Sequence, residues 1–221
     1  LKFYGTVRVR PSPQFEMPVE PSMTSETMAQ QYVTVTSTLP YSETYGNRYI
    51  FADLERYTLE MATRVSWIFS PRISFQLYAQ PFMSSADYTH YKQLKSPRTY
   101  DFTYFKEGDP ISSGTSIICQ NGSLCREEQT NGSIRNHLDF NSDNVVDYSF
   151  SDRDINLTSL IGNAVFRWEY KPGSTLFLVW QRKKTSYLAL GDFNFDRNLE
   201  ALLDSAPDDR IIVKLNYWLG I

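Results

Sequence analysis

The segment 163–177 constrains the fold of this chain more than any other segment. Apolar residues occupy every second position of its first arm: Ala164, Phe166, Trp168 and Tyr170. Successive side chains of a strand point to opposite faces, so one face is aromatic and the other carries Asn163, Arg167 and Glu169. Pro172-Gly173 then suits a tight turn, and a second apolar arm starts at Thr175. The segment predicts an antiparallel β-hairpin.

The same alternation recurs along the chain, although the second arm of this hairpin alternates poorly because residues 176–179 are all apolar. It predicts seven strands, near residues 1–10, 14–38, 48–69, 73–87, 155–170, 175–190 and 210–219. Tight turns fall at Pro11, Pro71 and Pro172, whereas the other connections are long and polar. The longest loops are predicted at 84–154 and 191–209, the second with a short helix near 198–206 capped by Asp196 or Asn198. The predicted fold class is all-β, with an antiparallel up-and-down order.

The overall composition limits the partners and environments that such a sheet can have. The chain is 15% aromatic, which favours strands, and its net charge of −3 argues against nucleic acid as a partner. No run of 18 apolar residues is present, so we expect no transmembrane helix. A membrane-spanning β-strand needs only about ten residues of alternating pattern.

Three features indicate an outer-membrane β-barrel. Short turns alternate with long loops, as in barrels with periplasmic turns and extracellular loops. Aromatic residues cluster beside the tight turns and at the chain end, as a membrane-interface girdle requires: Trp67, Phe69, Trp168, Tyr170, Tyr217 and Trp218. Charged residues occupy the opposite face and would line a wet lumen, as a charge ladder or as structural pairs: Glu60, Arg64, Arg167, Glu169 and Lys214.

The number of strands adds a constraint. Bacterial single-chain barrels have even strand numbers, and open sheet edges do not survive in lipid. We therefore expect residues 1–221 to be the C-terminal portion of a larger barrel, contributing about 7–8 strands. The remaining strands would lie upstream or come from another chain.

Four stretches of the sequence resemble domain-of-unknown-function family 5916 of Gram-negative outer-membrane proteins: 49–54, 73–82, 163–181 and 213–219. The resemblance implies a C-terminal barrel in the bacterial outer membrane that follows an N-terminal family 9 carbohydrate-binding module. This sequence has no counterpart of the module, so glycan binding does not carry over. The family has no established catalytic residues to transfer.

Two local motifs lie in the predicted 84–154 loop. Cys119 and Cys125 have a spacing unsuited to zinc or redox CxxC sites. We expect a disulfide in an oxidising compartment, with two free thiols as the alternative. Oxygen ligands fall at positions 1, 3, 5 and 9 of a calcium-type loop: Asp139, Asn141, Asp143 and Asp147. Position 6 lacks Gly and position 12 lacks Glu, so these acids alternatively only solvate the loop. Acidic loops in the resembled family support calcium, and we expect no other cofactor.

The sequence favours a barrel segment that acts as a pore, translocation element or surface scaffold. Its partners would be the lipid bilayer and a glycan or secreted protein recognised by external loops. No motif places Ser, His and Asp as a catalytic triad, so we expect no enzyme activity. The alternative is a secreted all-β glycan-binding module that uses tyrosines for stacking: Tyr41, Tyr45, Tyr88 and Tyr91.

Overall fold

The chain folds into a large and a small β-sheet with one α-helix. The computed structural model describes residues 1–113, 116–130 and 132–220. In chain order the strands are β1 (Lys2–Tyr4), β2 (Val7–Ser12), β3 (Phe15–Thr36), β4 (Arg48–Ser70), β5 (Ile73–Leu94), β6 (Phe102–Tyr104), β7 (Glu107–Ser113), β8 (Ser116–Gln120), β9 (Leu124–Glu128), β10 (Ile134–Leu138), β11 (Tyr148–Ser151), β12 (Ile155–Lys171), β13 (Ser174–Leu188) and β14 (Asp208–Asn216). The helices are a short 3₁₀ turn (Ser42–Thr44) and α1 (Phe195–Asp204).

The large sheet has the order β1-β3-β4-β5-β12-β13-β14, and all its neighbours are antiparallel. β1 and β2 lie end to end along β3 and together occupy one position of the sheet. β6 pairs with the end of β5. The predicted all-β, antiparallel architecture is therefore confirmed, and the seven predicted strands correspond to the seven positions. Within the described residues the sheet is open, with β1/β2 and β14 as its edges, and no closed barrel forms.

The antiparallel order places three tight turns at one end of the large sheet. They join β2 to β3, β4 to β5 and β12 to β13, and we call this the turn end. The longer connections all leave from the opposite, loop end. The predicted asymmetry between short and long connections is thus present in the fold.

The segment predicted as the loop 84–154 is more ordered than its composition suggests. β5 continues to Leu94, and five short strands from 107 to 151 form the small sheet in the order β11-β10-β9-β7-β8. Cys119 of β8 and Cys125 of β9 are joined by a disulfide with a Cα–Cα distance of 5.5 Å. Strands of four to seven residues are too short to show clear alternation, and for this reason the sequence pattern resembled a loop.

The second predicted loop, 191–209, holds the expected helix but with a different cap. The Asn194 side chain accepts a hydrogen bond from the Arg197 backbone N–H at 3.0 Å, so α1 begins before the predicted Asp196 or Asn198. Phe195 lies inside the helix. Among the described residues, no helix combines the length and the apolar character needed to cross a membrane.

The buried apolar core is confined to the loop end. It lies between the ends of β3, β4 and β5 and the small sheet, and its members are Val33, Ile50, Ala52, Tyr91, Leu124, Leu138 and Phe150. From residue 55 to residue 82, which covers both strands around the β4–β5 turn, every residue is at least partly exposed. The turn half of the large sheet therefore has no dry core of its own.

Gly173 in the β12–β13 turn allows a test of how tightly the turn end is packed. Its φ is +78°, and a Cβ there would lie 3.0 Å from the Trp218 Cβ. We expect Gly173→Ala to lower the free energy of unfolding by about 1–2 kcal/mol for the left-handed backbone, and by more because Trp218 must move. Gly132→Ala is the matched control, because Gly132 has the same φ of +78° but nothing within 4 Å. Equal losses in urea unfolding of the two variants would contradict the Trp218 contact.

Candidate functional site: the two faces of the large sheet

The strand register separates the large sheet into two chemically distinct faces. We define the apolar face by residues that are directly paired across β4, β5, β12, β13 and β14: Val65, Leu77, Ala164, Trp180 and Ile211. The polar face is defined by the residues between them, such as Arg64, Tyr78 and Asn163. Because the period of a strand is two, each strand keeps its alternating set on one face.

The apolar face has the height of a lipid bilayer core. On β5 it runs from Ile73 through Leu77 to Met83, and Ser85 and Asp87 follow on the same face. Ten residues rise about 34 Å along a strand, and the tilt of about 40° that barrel strands have would reduce this to about 26 Å. The apolar band of an outer-membrane barrel is about 25 Å tall. The face therefore matches that band in height and ends in polar residues.

The apolar face is open to its surroundings over most of its area. Many of its side chains are between about 40% and 70% exposed: Phe3, Val7, Met23, Met61, Trp67, Trp168, Leu178, Ile211, Val213 and Leu215. Helix α1 lies over its loop-end border, where Phe195 and Leu199 bound a cavity of about 290 Å³ together with Leu59, Met61 and Met83. Monomeric soluble proteins rarely expose contiguous apolar surface of this extent.

The predicted interface aromatics are grouped at the turn end. The Trp67 and Phe69 rings are in contact, tilted by 33° with centroids 4.3 Å apart, and the Trp168 and Tyr170 centroids are 6.1 Å apart. Tyr217 and Trp218 continue the chain beyond β14, where Lys171 lies 5.1 Å from the Tyr217 ring. All six residues therefore lie at the same end of the sheet.

A further aromatic residue, Trp180, is the last apolar residue of this face on β13 before Arg182. The Trp180 indole N–H donates to Asp209 at 3.0 Å, and Arg182 lies 4.9 Å from the Trp180 ring. Sequence analysis did not single out Trp180, because its place at a border depends on the β13–β14 register. On β13 the apolar face therefore ends at Trp180, which lies in the same row as Ala164 and Leu77.

The five predicted lumen residues share the polar face. Arg64 pairs with Glu20 at 3.5 Å and lies over the Tyr78 ring, while Gln80 donates to Glu60. The other members form a cluster near the β12–β13 turn and along the β14 edge: Arg167, Glu169 and Lys214. Arg167 and Glu169 are 3.4 Å apart. Three of the five, Arg64, Arg167 and Glu169, thus pair with an opposite charge on this face.

At the loop end, the small sheet packs over the side of the polar face. On β4, Ile50, Ala52 and Leu54 lie on the same face as Glu60 and Arg64. They are nevertheless buried. Ile50 and Ala52 belong to the core that includes residues of the small sheet. The strands β9, β10 and β11 therefore cover the polar face at its loop end.

A buried ionic cluster joins the small sheet to the large one. We call Arg126, Asp152 and Asp154 the Arg126 cluster, because the Arg126 guanidinium donates to both carboxylates. Asp152 also accepts from the Tyr91 hydroxyl of β5 at 3.0 Å, and Asp154 accepts from the Tyr88 backbone N–H at 2.8 Å. The cluster links β9, β5 and the start of β12. No sequence motif indicated it, because its members are far apart in the chain.

The ionisation of this cluster is shaped by burial. Burial raises the pKa of Asp154, and the Tyr88 N–H and the Arg126 guanidinium oppose that shift. Burial also raises the pKa of the Tyr91 hydroxyl, and the neighbouring Asp152 charge raises it further. Two carboxylates share one guanidinium, so the cluster depends on Arg126 for its charge balance.

We expect Arg126→Met to destabilise the docking of the small sheet. Breaking a buried ion pair costs about 3–5 kcal/mol, and because the Arg126 side chain is 34% exposed we expect about 2–3 kcal/mol at pH 7. Without the guanidinium, the raised pKa of Asp154 rises further. Stability is therefore partly regained as the pH falls through that raised pKa towards the ordinary 3.8.

Urea unfolding at neutral and acidic pH measures this loss. Arg135→Met is the control, because Arg135 lies in β10 and is exposed. A loss that is equal in the two variants, or that grows as the pH falls, would contradict the role of the Arg126 cluster.

The structure also brings together three residues that the sequence did not connect. His137 Nδ1 lies 2.8 Å from Ser149 Oγ, and His137 Nε2 lies 3.1 Å from Glu127 Oε2. The serine contacts the opposite ring nitrogen from the one used in serine hydrolases, and His137 is only 6% exposed. The arrangement ties β9, β10 and β11 together across the small sheet. The expectation of no enzyme activity stays a prediction.

The candidate calcium loop is closed by its own backbone. The Asp139 carboxylate is buried and accepts hydrogen bonds from the backbone N–H groups of residues 141–144. Asp147 accepts from the Phe140 N–H at 2.7 Å, and Asn141 donates to Asp143 at 2.9 Å. Within the part of the chain that the structure describes, no group of three or more His, Cys, Asp or Glu side chains is placed to hold a metal ion. Calcium binding stays a prediction.

Calorimetric titration with calcium tests that prediction. Heat release together with slower proteolysis of the 139–147 loop is the expected result. Asp143→Asn is the informative variant, because it removes a charged ligand but leaves the bonds to Asp139. No heat and unchanged proteolysis would show that the loop does not bind calcium and is closed only by its own hydrogen bonds.

The tyrosines of the alternative glycan-binding hypothesis do not form one platform. Tyr91 is 2% exposed and engaged with Asp152, and Tyr88 packs against the core. Tyr45 is 87% exposed, and Tyr41 contacts Arg48 at 4.9 Å. Tyr91 therefore offers no surface on which a sugar ring can stack, because the small sheet covers it.

These features define an all-β protein whose main element is an antiparallel sheet with one exposed apolar face and one ion-paired polar face. The family described as Domain of unknown function (DUF5916) matches residues 123–221, which include β9 to β14 and α1. This match supports, over that part of the chain, the domain family that the sequence resembles. The comparison with curated proteins gave no match, and neither did the comparison with solved structures.

Proposed function

We propose that residues 1–221 form a β-barrel segment of a bacterial outer membrane. The observation that carries the proposal is the exposed apolar face of the large sheet, which on β5 is about as tall as a bilayer core and which has aromatic side chains grouped at the turn end. In this arrangement the apolar face contacts lipid and the polar face lines a lumen. The resemblance to the matched family supports the same location.

The orientation follows from the connections. Outer-membrane barrels keep short turns on the periplasmic side and long loops outside. The turn end, with its three tight turns, is therefore placed in the periplasm. The small sheet and α1 are placed at the external surface, where a disulfide between Cys119 and Cys125 is chemically stable.

Within this class, the roofed polar face favours a surface scaffold or a closed translocation element over an open pore. The small sheet covers the loop end of the polar face and is fixed there by the Arg126 cluster. A permanently open pore would need that end to be clear. The external loops would then recognise a glycan or a secreted protein.

Paired tryptophan probes test the membrane assignment. In a background with the four native Trp residues changed to Phe, Leu77→Trp places a probe at mid-height on the apolar face, and Gln76→Trp places one on the polar face. We expect lipids brominated in their acyl chains to quench the probe at 77 strongly and the one at 76 weakly. Aqueous iodide should give the reverse order.

The two probes are adjacent in sequence, so they differ in face and hardly in depth. Equal quenching at both positions, or recovery of the protein in the aqueous phase without detergent, would overturn the membrane assignment. The second outcome would favour the secreted module instead. Heat-modifiable migration on gels checks that each variant is folded.

A further inference from the structure

The charges on the polar face are arranged by strand. β3 presents three glutamates on this face, and each pairs with an arginine of a neighbouring strand. Glu16 pairs with Arg8 of β2 at 3.2 Å, and Glu20 pairs with Arg64 of β4 at 3.5 Å. Glu26 accepts from Arg56 of β4 at 3.1 Å. An acidic strand thus lies between two basic ones.

Both edges of the large sheet present basic residues on the polar face. At the β14 edge these are Arg210 and Lys214, which lie beside Gln181 and Phe177 of β13. Asp208 shares this face and lies 3.3 Å from Arg210, so Lys214 is the basic residue in excess. At the other edge they are Lys2 of β1 and Arg8 of β2. Every residue of β14 is exposed, and its ladder is formed on the β13 side within the described residues.

Direct pairing of the two edges is disfavoured for two reasons. The sheet has seven strand positions, and neighbouring strands run in opposite directions, so β14 runs in the same direction as β2. The two edges would therefore pair in parallel in an otherwise antiparallel sheet. The pairing would also bring Lys214 and Lys2 to neighbouring strands, together with Arg210 and Arg8, which already pair with Asp208 and Glu16. Like charges on neighbouring strands repel. In the register centred on Ile212, the same repulsion opposes a second copy at the β14 edge, because antiparallel β14–β14 pairing then sets Arg210 opposite Lys214.

We propose that the β14 edge binds a partner β-strand with acidic residues on its polar face. This inference rests on the proposed function, and the partner strand lies outside residues 1–221. It runs antiparallel to β14, places Asp or Glu beside Arg210 and Lys214, and continues the apolar face beside Ile211, Val213 and Leu215. The arrangement repeats that of β3, whose glutamates pair with the basic residues on both sides.

Two synthetic peptides test the proposal. Both have ten residues with the same apolar positions, and they differ only in carrying Glu or Lys at the polar-face positions. We expect the folded protein in detergent micelles to bind the labelled Glu peptide at least about tenfold more tightly than the Lys peptide, measured by fluorescence anisotropy at low salt. The double variant Arg210→Glu/Lys214→Glu should reverse the preference.

The control variant is Arg72→Glu/Arg135→Glu. It makes the same change in net charge at exposed positions away from the β14 edge, and it should keep the preference for the Glu peptide. Equal binding of the two peptides to the unmodified protein, or an unchanged preference in the Arg210/Lys214 variant, would overturn the proposal. Dimerisation without peptide, seen by analytical ultracentrifugation, would also overturn it.

These outcomes separate the inference from the function on which it rests. If Leu77→Trp is quenched by brominated lipid but the peptides bind equally, the strand proposal fails and the membrane assignment stands. If neither probe contacts lipid, the membrane assignment itself fails.

Discussion

The structure depends on one constraint, which is that each backbone N–H and C=O of a long strand must find a partner on the next strand. An antiparallel ladder satisfies these groups along β3, β4, β5, β12 and β13, and it locks the register of each pair. Once the register is fixed, the period of two assigns every side chain to a face. The apolar and polar faces are therefore consequences of the ladder, and a one-residue slip would exchange them.

The same constraint explains why the edges matter. The ladder ends at β1/β2 on one side and at β14 on the other, and in hydrocarbon an unpaired backbone group costs several kcal/mol. In the membrane location that we propose, further strands would have to satisfy the edge groups that the described residues leave open. The basic side chains at both edges add a chemical preference to this geometric need.

The loop end is stabilised by apolar packing and buried ion pairs. There the polar face is covered by the small sheet, and a conventional dry core forms around Ile50, Leu124 and Leu138. The Arg126 cluster and the Tyr91–Asp152 hydrogen bond connect the two sheets across this core. The molecule thus combines a half without a core of its own and a half that packs like a soluble domain.

Features that depend on residues close together in the sequence were predictable, whereas features that depend on distant residues were not. Period-two alternation is a local property, so the long strands and the tight turns at Pro71 and Pro172 were predictable from nearby residues alone. The helix in 191–209 was also predictable, although its cap at Asn194 was not, because several polar residues there compete for that role. The short strands β7 to β11 were missed since four to seven residues carry too little pattern.

The sequence by itself determined which residues share a face, because a strand allows only two directions for its side chains. Glu60, Arg64 and Arg167 were grouped correctly for that reason. Only the tertiary structure decided that the small sheet roofs the polar face, that Arg126 meets Asp152 and Asp154, and that Trp180 lies at a border. These contacts join residues from 26 to more than 60 positions apart, and their formation depends on how strands register and loops fold back.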